Sequence, residues 1–160
     1  NYGLSPDIVT VAKGLGGGVP IGAMLATDAA ATGFEPGSHA STFGGNPLAC
    51  AAGLAVFEAL EAGDLIAQAQ VRGAYLRARL GELAGRFGAI REIRGLGLMV
   101  GVELDVPATP IFKACQANGL LINAINDRVL RFLPPLIVSE AEIDQAVAIV
   151  SGALQTAVAV

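Results

Sequence analysis

Ile8-Val9-Thr10-Val11-Ala12-Lys13-Gly14-Leu15-Gly16-Gly17-Gly18-Val19-Pro20-Ile21-Gly22-Ala23 is the stretch on which the reading of this chain turns. A β-rich run, Ile8 to Ala12, ends on a lysine. A glycine cluster follows, and a second apolar run returns from Ile21 to Ala26. The pattern predicts strand, lysine, tight turn, strand. Of the ten Lys plus Arg residues only two are lysines, Lys13 and Lys113. Lys13 is placed where an ammonium can be desolvated and held rigidly, with small residues leaving room in front of it. A lysine so held can lose its proton near neutral pH and attack a carbonyl to form a Schiff base. A lysine capping a strand end in water fits the same local pattern, which does not choose between the two. Gly14, Gly16, Gly17 and Gly18 permit positive φ and close approach of the backbone to a flat or phosphorylated ligand. Two nucleotide motifs are disfavoured: a P-loop places its lysine after the glycines, and a dinucleotide fingerprint starting at Gly14 needs glycine at position 19, where Val19 stands.

Working outward, the composition bounds the class. The chain has 160 residues, enough for one domain or pieces of two, and at 53% hydrophobic and 15% charged it reads as globular. The formal net charge is −4, and no basic run occurs, which argues against nucleic acid as a partner. Cys50 and Cys115 are isolated and lack metal spacing; they read as small apolar fillers in a reducing compartment. One histidine, His39, does not build a zinc site by itself, and we expect no metal. The apolar runs are interrupted before reaching the roughly 20 residues of a membrane span, and no signal peptide is visible. The expected location is cytoplasmic. The chain starts at Asn1 in mid-pattern and not at Met, which suggests the C-terminal part of a longer polypeptide.

Asn1 to Asp7 reads as a loop, with Ser5-Pro6-Asp7 as turn chemistry. Asp28 to Gly33 predicts a short helical turn. Asn46 is a good N-cap and Pro47 a good first helical residue, so a helix is expected from there to about Ala62. The loop before it offers the hydroxyls of Ser38, Ser41 and Thr42 and the amides of Gly44 and Gly45, a group suited to an anion at a helix N-terminus. A capped loop with solvated hydroxyls fits equally, and His39 reads as a loop or packing histidine. Gly63-Asp64 breaks the helix and caps a long one whose Leu65, Ala69, Leu76, Leu80, Leu83 and Phe87 share a face. Its arginines read as a solvated face, and the helix as a bridge between two lobes.

From about residue 88 the pattern becomes a small α+β lobe. Strands are expected at Ile90 to Arg94 and Leu98 to Leu104, then a helix over Pro110 to Asn118, ended by Gly119. Further strands follow at Leu120 to Asn123 and Val129 to Phe132. Ser139-Glu140-Ala141-Glu142 is a capping box for a final helix to near Ala157. Arg131, in Val129-Leu130-Arg131-Phe132-Leu133, has apolar neighbours on both sides. It suits either a bidentate grip on a carboxylate or the solvent face of an edge strand.

Ala12-Lys13-Gly14-Leu15-Gly16-Gly17-Gly18 with Pro20-Ile21-Gly22-Ala23 resembles the cofactor-lysine segment of the class III pyridoxal-phosphate aminotransferases. Ser41-Thr42-Phe43-Gly44-Gly45-Asn46-Pro47 resembles the second signature of that family. Gly95-Leu96-Gly97-Leu98-Met99 and Leu130-Arg131-Phe132-Leu133-Pro134-Pro135-Leu136 are similar to its C-terminal lobe. The resemblance runs over essentially all 160 residues, in order. Within the family, Gly119 to Asn123 with Val129 to Leu136 is most similar to members that act on N2-acetylornithine in arginine biosynthesis.

This resemblance implies an α/β, fold type I pyridoxal-phosphate transferase. Residues 1–63 would be the C-terminal part of the large cofactor-binding domain, 64–87 a linking helix and 88–160 the small C-terminal α+β domain. It implies that Lys13 bonds the pyridoxal 5′-phosphate and then moves the proton between the substrate Cα and the cofactor C4′. Thr42 would bind the phosphate held by the neighbouring subunit, Ser41 would touch the acylated substrate, and Arg131 would hold the α-carboxylate of the amino acid or of 2-oxoglutarate. The implied partners are small amino-acid and 2-oxo-acid substrates and a second copy of the chain, in a homodimer with sites at the interface. In the family the acid on the pyridine nitrogen, the aromatic on the ring face and the main phosphate loop lie upstream of the lysine. Asp7 and Asp28 do not occupy the pyridine position, so the chain alone is expected to turn over little or not at all. Two other readings stand beside it: another ω-amino-acid transaminase, acting on ornithine, 4-aminobutyrate or succinyldiaminopimelate, and a non-catalytic domain that keeps the fold.

Overall fold

The computed structural model describes residues 2–158, so Asn1, the first residue of the expected loop, lies outside them. The chain divides into two compact units, Asn1–Gly63 and Asp64–Val160.

In the first unit, β1 (Ile8–Ala12) pairs antiparallel with β2 (Gly22–Ala26), Ile8 opposite Ala26 and Ala12 opposite Gly22. The amide of Thr27 closes the open end on the Asp7 carbonyl at 2.9 Å. Helix α1 (Asp28–Ala31) is a single turn capped by the Thr27 hydroxyl. Helix α2 (Pro47–Ala62) starts where the cap predicts: Asn46 Oδ1 accepts from the Ala49 amide at 2.9 Å. Ala49 is the buried hydrophobic residue of this unit among the described residues. Both sides of the hairpin are exposed, Ile8 and Val9 alike.

The second unit carries the core. A four-stranded antiparallel sheet has the order β3 (Ile90–Leu96), β4 (Met99–Leu104), β6 (Val129–Phe132), β5 (Asn123–Ile125). One face is covered by α3 (Leu65–Ala84), α4 (Ala108–Ala117) and α5 (Glu140–Val158). Val100, Val102, Leu130 and Phe132 point from the sheet into that layer and meet Leu80, Ile111, Ile143 and Leu154. Each such side chain, fully buried, contributes about 1.5–3 kcal/mol.

Five expectations change here. Helix α3, expected as a bridge, packs inside the second unit, because Leu76, Leu80 and Leu83 complete its core. Its arginines are not a merely solvated face: Arg72 pairs with Glu140 at 2.5 Å, Arg79 with Asp144 at 2.7 Å, and Arg77 donates to the Gly97 carbonyl at 3.2 Å. Asp64 heads α3 at φ 46 and makes no side-chain cap. Helix α4 begins two residues earlier than predicted, at Ala108, because a distant residue starts it. Asp127 accepts the Ala108 amide on its carbonyl at 2.9 Å and the Thr109 amide on its carboxylate at 2.8 Å. The Thr109 hydroxyl first, and then the Thr109 amide, hold the Asp127 carboxyl below its usual pKa. The strand expected at Leu120–Asn123 runs instead from Asn123 to Ile125, since Leu120 turns back to donate to the Cys115 carbonyl at 2.9 Å.

Candidate active site

The first unit presents Lys13 by a change of backbone. Ala12 is extended, at φ −161 and ψ −162, and Lys13 reverses to φ 55 as it opens a 3-10 turn over Lys13–Gly16. A left-handed backbone at a non-glycine residue costs about 1–3 kcal/mol and clusters at functional sites. The turn is closed by the Gly17 amide on the Gly14 carbonyl at 3.2 Å and the Val19 amide on the Gly16 carbonyl at 3.0 Å. Two of the glycines answer to packing. A Cβ on Gly16 would lie 2.7 Å from Ile21 Cγ2, and one on Gly17, at φ 58, would lie 3.1 Å from Val56 Cγ2 of α2. Gly14 and Gly18 face open space. Lys13 is exposed, so the desolvation expected for it is not supplied by its own unit, and it enters none of the ion pairs among the described residues.

Ser41 and Thr42 belong to the loop that leads into α2. This loop is tied by the Gly44 amide on the Ser41 carbonyl at 3.3 Å and by Asn46 Nδ2 on the Phe43 carbonyl at 2.8 Å. A shallow cavity of about 310 Å³ lies against the helix start, lined by Ile21, Gly22, Ser41, Gly44, Gly45 and Asn46. Neither Lys13 nor Thr42 lines it; Thr42 is exposed beside it in sequence. His39 packs edge-on to Phe34, ring centroids 6.5 Å apart.

Arg131 lies in the second unit, in the interior strand β6 and not on an edge. Alternation turns Leu130 and Phe132 into the core and Arg131 onto the opposite face. Register lines up Arg94, Gly101, Arg131 and Asn123 across the four strands of that face. The two guanidinium groups in this row differ. Arg94 meets Glu92 at 2.8 Å and Glu103 at 2.5 Å, which hold its proton more firmly than usual. Arg131 donates from Nη2 to Asn123 Oδ1 at 3.1 Å, while its Nε is buried without a partner. A guanidinium with one neutral partner and an orphaned Nε suits an incoming carboxylate. The sequence pattern singles out Lys13 and Arg131, each a charge in an apolar run, but not Asn123, which meets Arg131 only through the hairpin register.

The donor set fits pyridoxal phosphate: an exposed primary amine for an aldehyde, and hydroxyls with the Gly45 amide at a helix N-terminus for a phosphate ester. Among the described residues no cluster of three His, Cys, Asp or Glu forms a metal site, and no helix is long and apolar enough to cross a membrane.

Comparison with known proteins places the chain. The model of the aminotransferase class-III family matches residues 1–154. This chain belongs to that family of transaminases, whose cofactor is pyridoxal phosphate. It is similar to acetylornithine aminotransferase 1 of Bordetella bronchiseptica, 57% identical over 147 residues that make up 91% of this chain and 37% of the relative. Among solved structures it is similar to the acetylornithine aminotransferase of Elizabethkingia anophelis, with TM-score 0.87, 31% identity, 96% of this chain and 40% of that one. An ornithine aminotransferase of Toxoplasma gondii with partly occupied pyridoxal phosphate matches at TM-score 0.90 and 34% identity, over 98% of this chain and 38% of that one. The chain thus spans well under half the length of these relatives.

Proposed function

We propose that this chain is the lysine-bearing part and small domain of an acetylornithine aminotransferase. The activity would transfer the terminal amino group of N2-acetylornithine to 2-oxoglutarate, giving N-acetylglutamate semialdehyde and glutamate, a step of arginine biosynthesis. The observation that carries it is Lys13, an exposed amine on left-handed backbone at the end of β1. Pyridoxal phosphate, when bound, supplies the electron sink for charge at the reacting carbon. Lys13 Nζ would hold the cofactor at its aldehyde carbon with loss of water and, once the donor's amine has displaced it, would take and return the proton at the carbon that bears the transferred amine. The Thr42 hydroxyl would donate to the phosphate held by a second subunit of a homodimer. Ser41 meets the acylated end of the donor, and Arg131 grips the carboxylate of either substrate. We place the enzyme in the cytoplasm.

The chain matches 37% of its Bordetella relative, so turnover is expected of a full-length protein that contains it and little of these 160 residues alone. The test is to add pyridoxal phosphate to the full-length protein, reduce with borohydride and map the adduct. A single stoichiometric adduct on Lys13 is the expected result. Adducts spread over Lys113, or none, would overturn the assignment. Lys13→Ala should lower turnover by about 10²–10⁴-fold or more. The likeness to the Toxoplasma ornithine aminotransferase supports ornithine as a second donor. Its identity is 34% against 57% for the acetylornithine relative, so acetylornithine is expected to give the higher kcat/KM.

A further inference from the structure

We propose that Asn123 is a positioning residue for Arg131, and that its neutrality keeps the guanidinium available to a substrate carboxylate; this rests on the role given to Arg131 above. Asn123 opens the edge strand β5, directly opposite Arg131 in register. Its Oδ1 accepts from Nη2 at 3.1 Å, the one hydrogen bond that the guanidinium makes among the described residues. A long side chain with several rotamers is thereby held by one of its five donors, and the others stay free.

The same row supplies a contrast. Arg94, two strands away, is held by the carboxylates Glu92 and Glu103 and has its charge matched. Arg131 is held by an amide of nearly the same shape, which orients the group and leaves its positive charge uncompensated. The neighbour on its other side is Gly101, where a Cβ would first meet Val129 Cγ1 at 3.4 Å and the Arg94 carbonyl at 3.9 Å. With no side chain at Gly101, that flank of Arg131 carries no competing acceptor. An aspartate at position 123 would keep the hydrogen bond and strengthen it. It would also occupy the charge that the substrate needs. A purely structural role and a positioning role therefore predict opposite outcomes for the same near-isosteric change.

The experiment uses the full-length protein loaded with pyridoxal phosphate. Asn123→Asp, Asn123→Ala and Arg131→Gln are compared with the parent in equilibrium binding of glutarate, an unreactive dicarboxylate, and in KM and kcat for 2-oxoglutarate. Melting temperature and cofactor absorbance are followed in each. Asn123→Asp is expected to weaken glutarate and raise KM by about 10- to 100-fold, the range for one hydrogen bond to a charged group, with kcat within about twofold and melting temperature unchanged or higher. Asn123→Ala, which frees the rotamer without adding charge, is expected to lose about three- to tenfold. If Arg131→Gln weakens glutarate while Asn123→Asp binds it like the parent, the positioning role is overturned and the role of Arg131 stands. If Arg131→Gln itself binds glutarate like the parent, both are overturned.

Discussion

The orphaned Nε of Arg131 has a cost that its own domain bears. A buried donor without a partner destabilises a fold by about 1–3 kcal/mol, and β6 carries one in mid-strand. Arg131→Met removes that donor and keeps the length of the side chain. We expect it to leave the urea midpoint of the second unit unchanged or higher while carboxylate affinity is lost; a lower midpoint would show that the guanidinium holds the sheet together. At this scale the candidate residues, though not their roles, were partly legible in the sequence. Lys13 ends an apolar run and Arg131 interrupts one, which marked both as candidates without choosing between a functional and a solvated role. Asn123 gave no such signal, because an exposed asparagine near a turn is ordinary and its partner lies eight residues on, across a hairpin.

Helix α3 and the β3–β4 hairpin approach each other closely at Gly73. A Cβ there would collide with the carbonyl carbon and oxygen of Gly97. Gly73→Ala is expected to destabilise the second unit by about 1–3 kcal/mol, in spite of alanine's better helix propensity; denaturant melts would measure it. The start of α5 is a reciprocal capping box: Ser139 Oγ accepts from the Glu142 amide at 3.2 Å, and Glu142 accepts from the Ser139 amide at 2.7 Å. Ser139→Ala should cost about 0.5–2 kcal/mol in the same melts. The backbone amide of Ser139, with its hydroxyl, also holds the Glu142 carboxyl below its usual pKa. Arg79, joined by Tyr75, does the same to Asp144. Depressed carboxylates stabilise the fold above their unfolded pKa values, and the contribution is lost as pH falls through the folded ones. Stability of the second unit should therefore decline below about pH 4. Asp144→Asn should flatten that decline, and an unchanged acid profile would count against it. Elements with local signals were legible: the Asn46 cap, the capping box, the strands around Gly95–Gly97. Those with distant causes were not, since Asp127 starts α4 from another turn and Leu120 is drawn back onto Cys115.

Across the molecule, the two units are built to different degrees. The second has a continuous core that includes Leu80, Ile111, Leu130, Ile143 and Leu154, each fully buried. The first leaves Leu25 57%, Phe57 54% and Leu48 74% exposed. Residues 64–160 should therefore fold alone with a cooperative melt, whereas residues 1–63 alone should show little ordered structure by circular dichroism. A cooperative transition in the shorter piece would contradict this. The family was legible at this scale through the lysine segment and the Ser41–Pro47 segment together. The allegiance of α3 was not, because an amphipathic helix shows which face is apolar and not which neighbour that face will meet.

The direction of Arg131 is a matter of parity. It points away from the core only because it is one step from Leu130 and one from Phe132 on a strand whose register is shared with β4 and β5. A single residue gained or lost within β6 would turn the guanidinium inward and both apolar neighbours outward. Descendants of this sequence can lengthen beyond Phe132 without changing that parity, whereas the Asn126–Arg128 turn also carries Asp127, which starts α4. Inside the strand, they can inherit the carboxylate grip only through changes made two residues at a time.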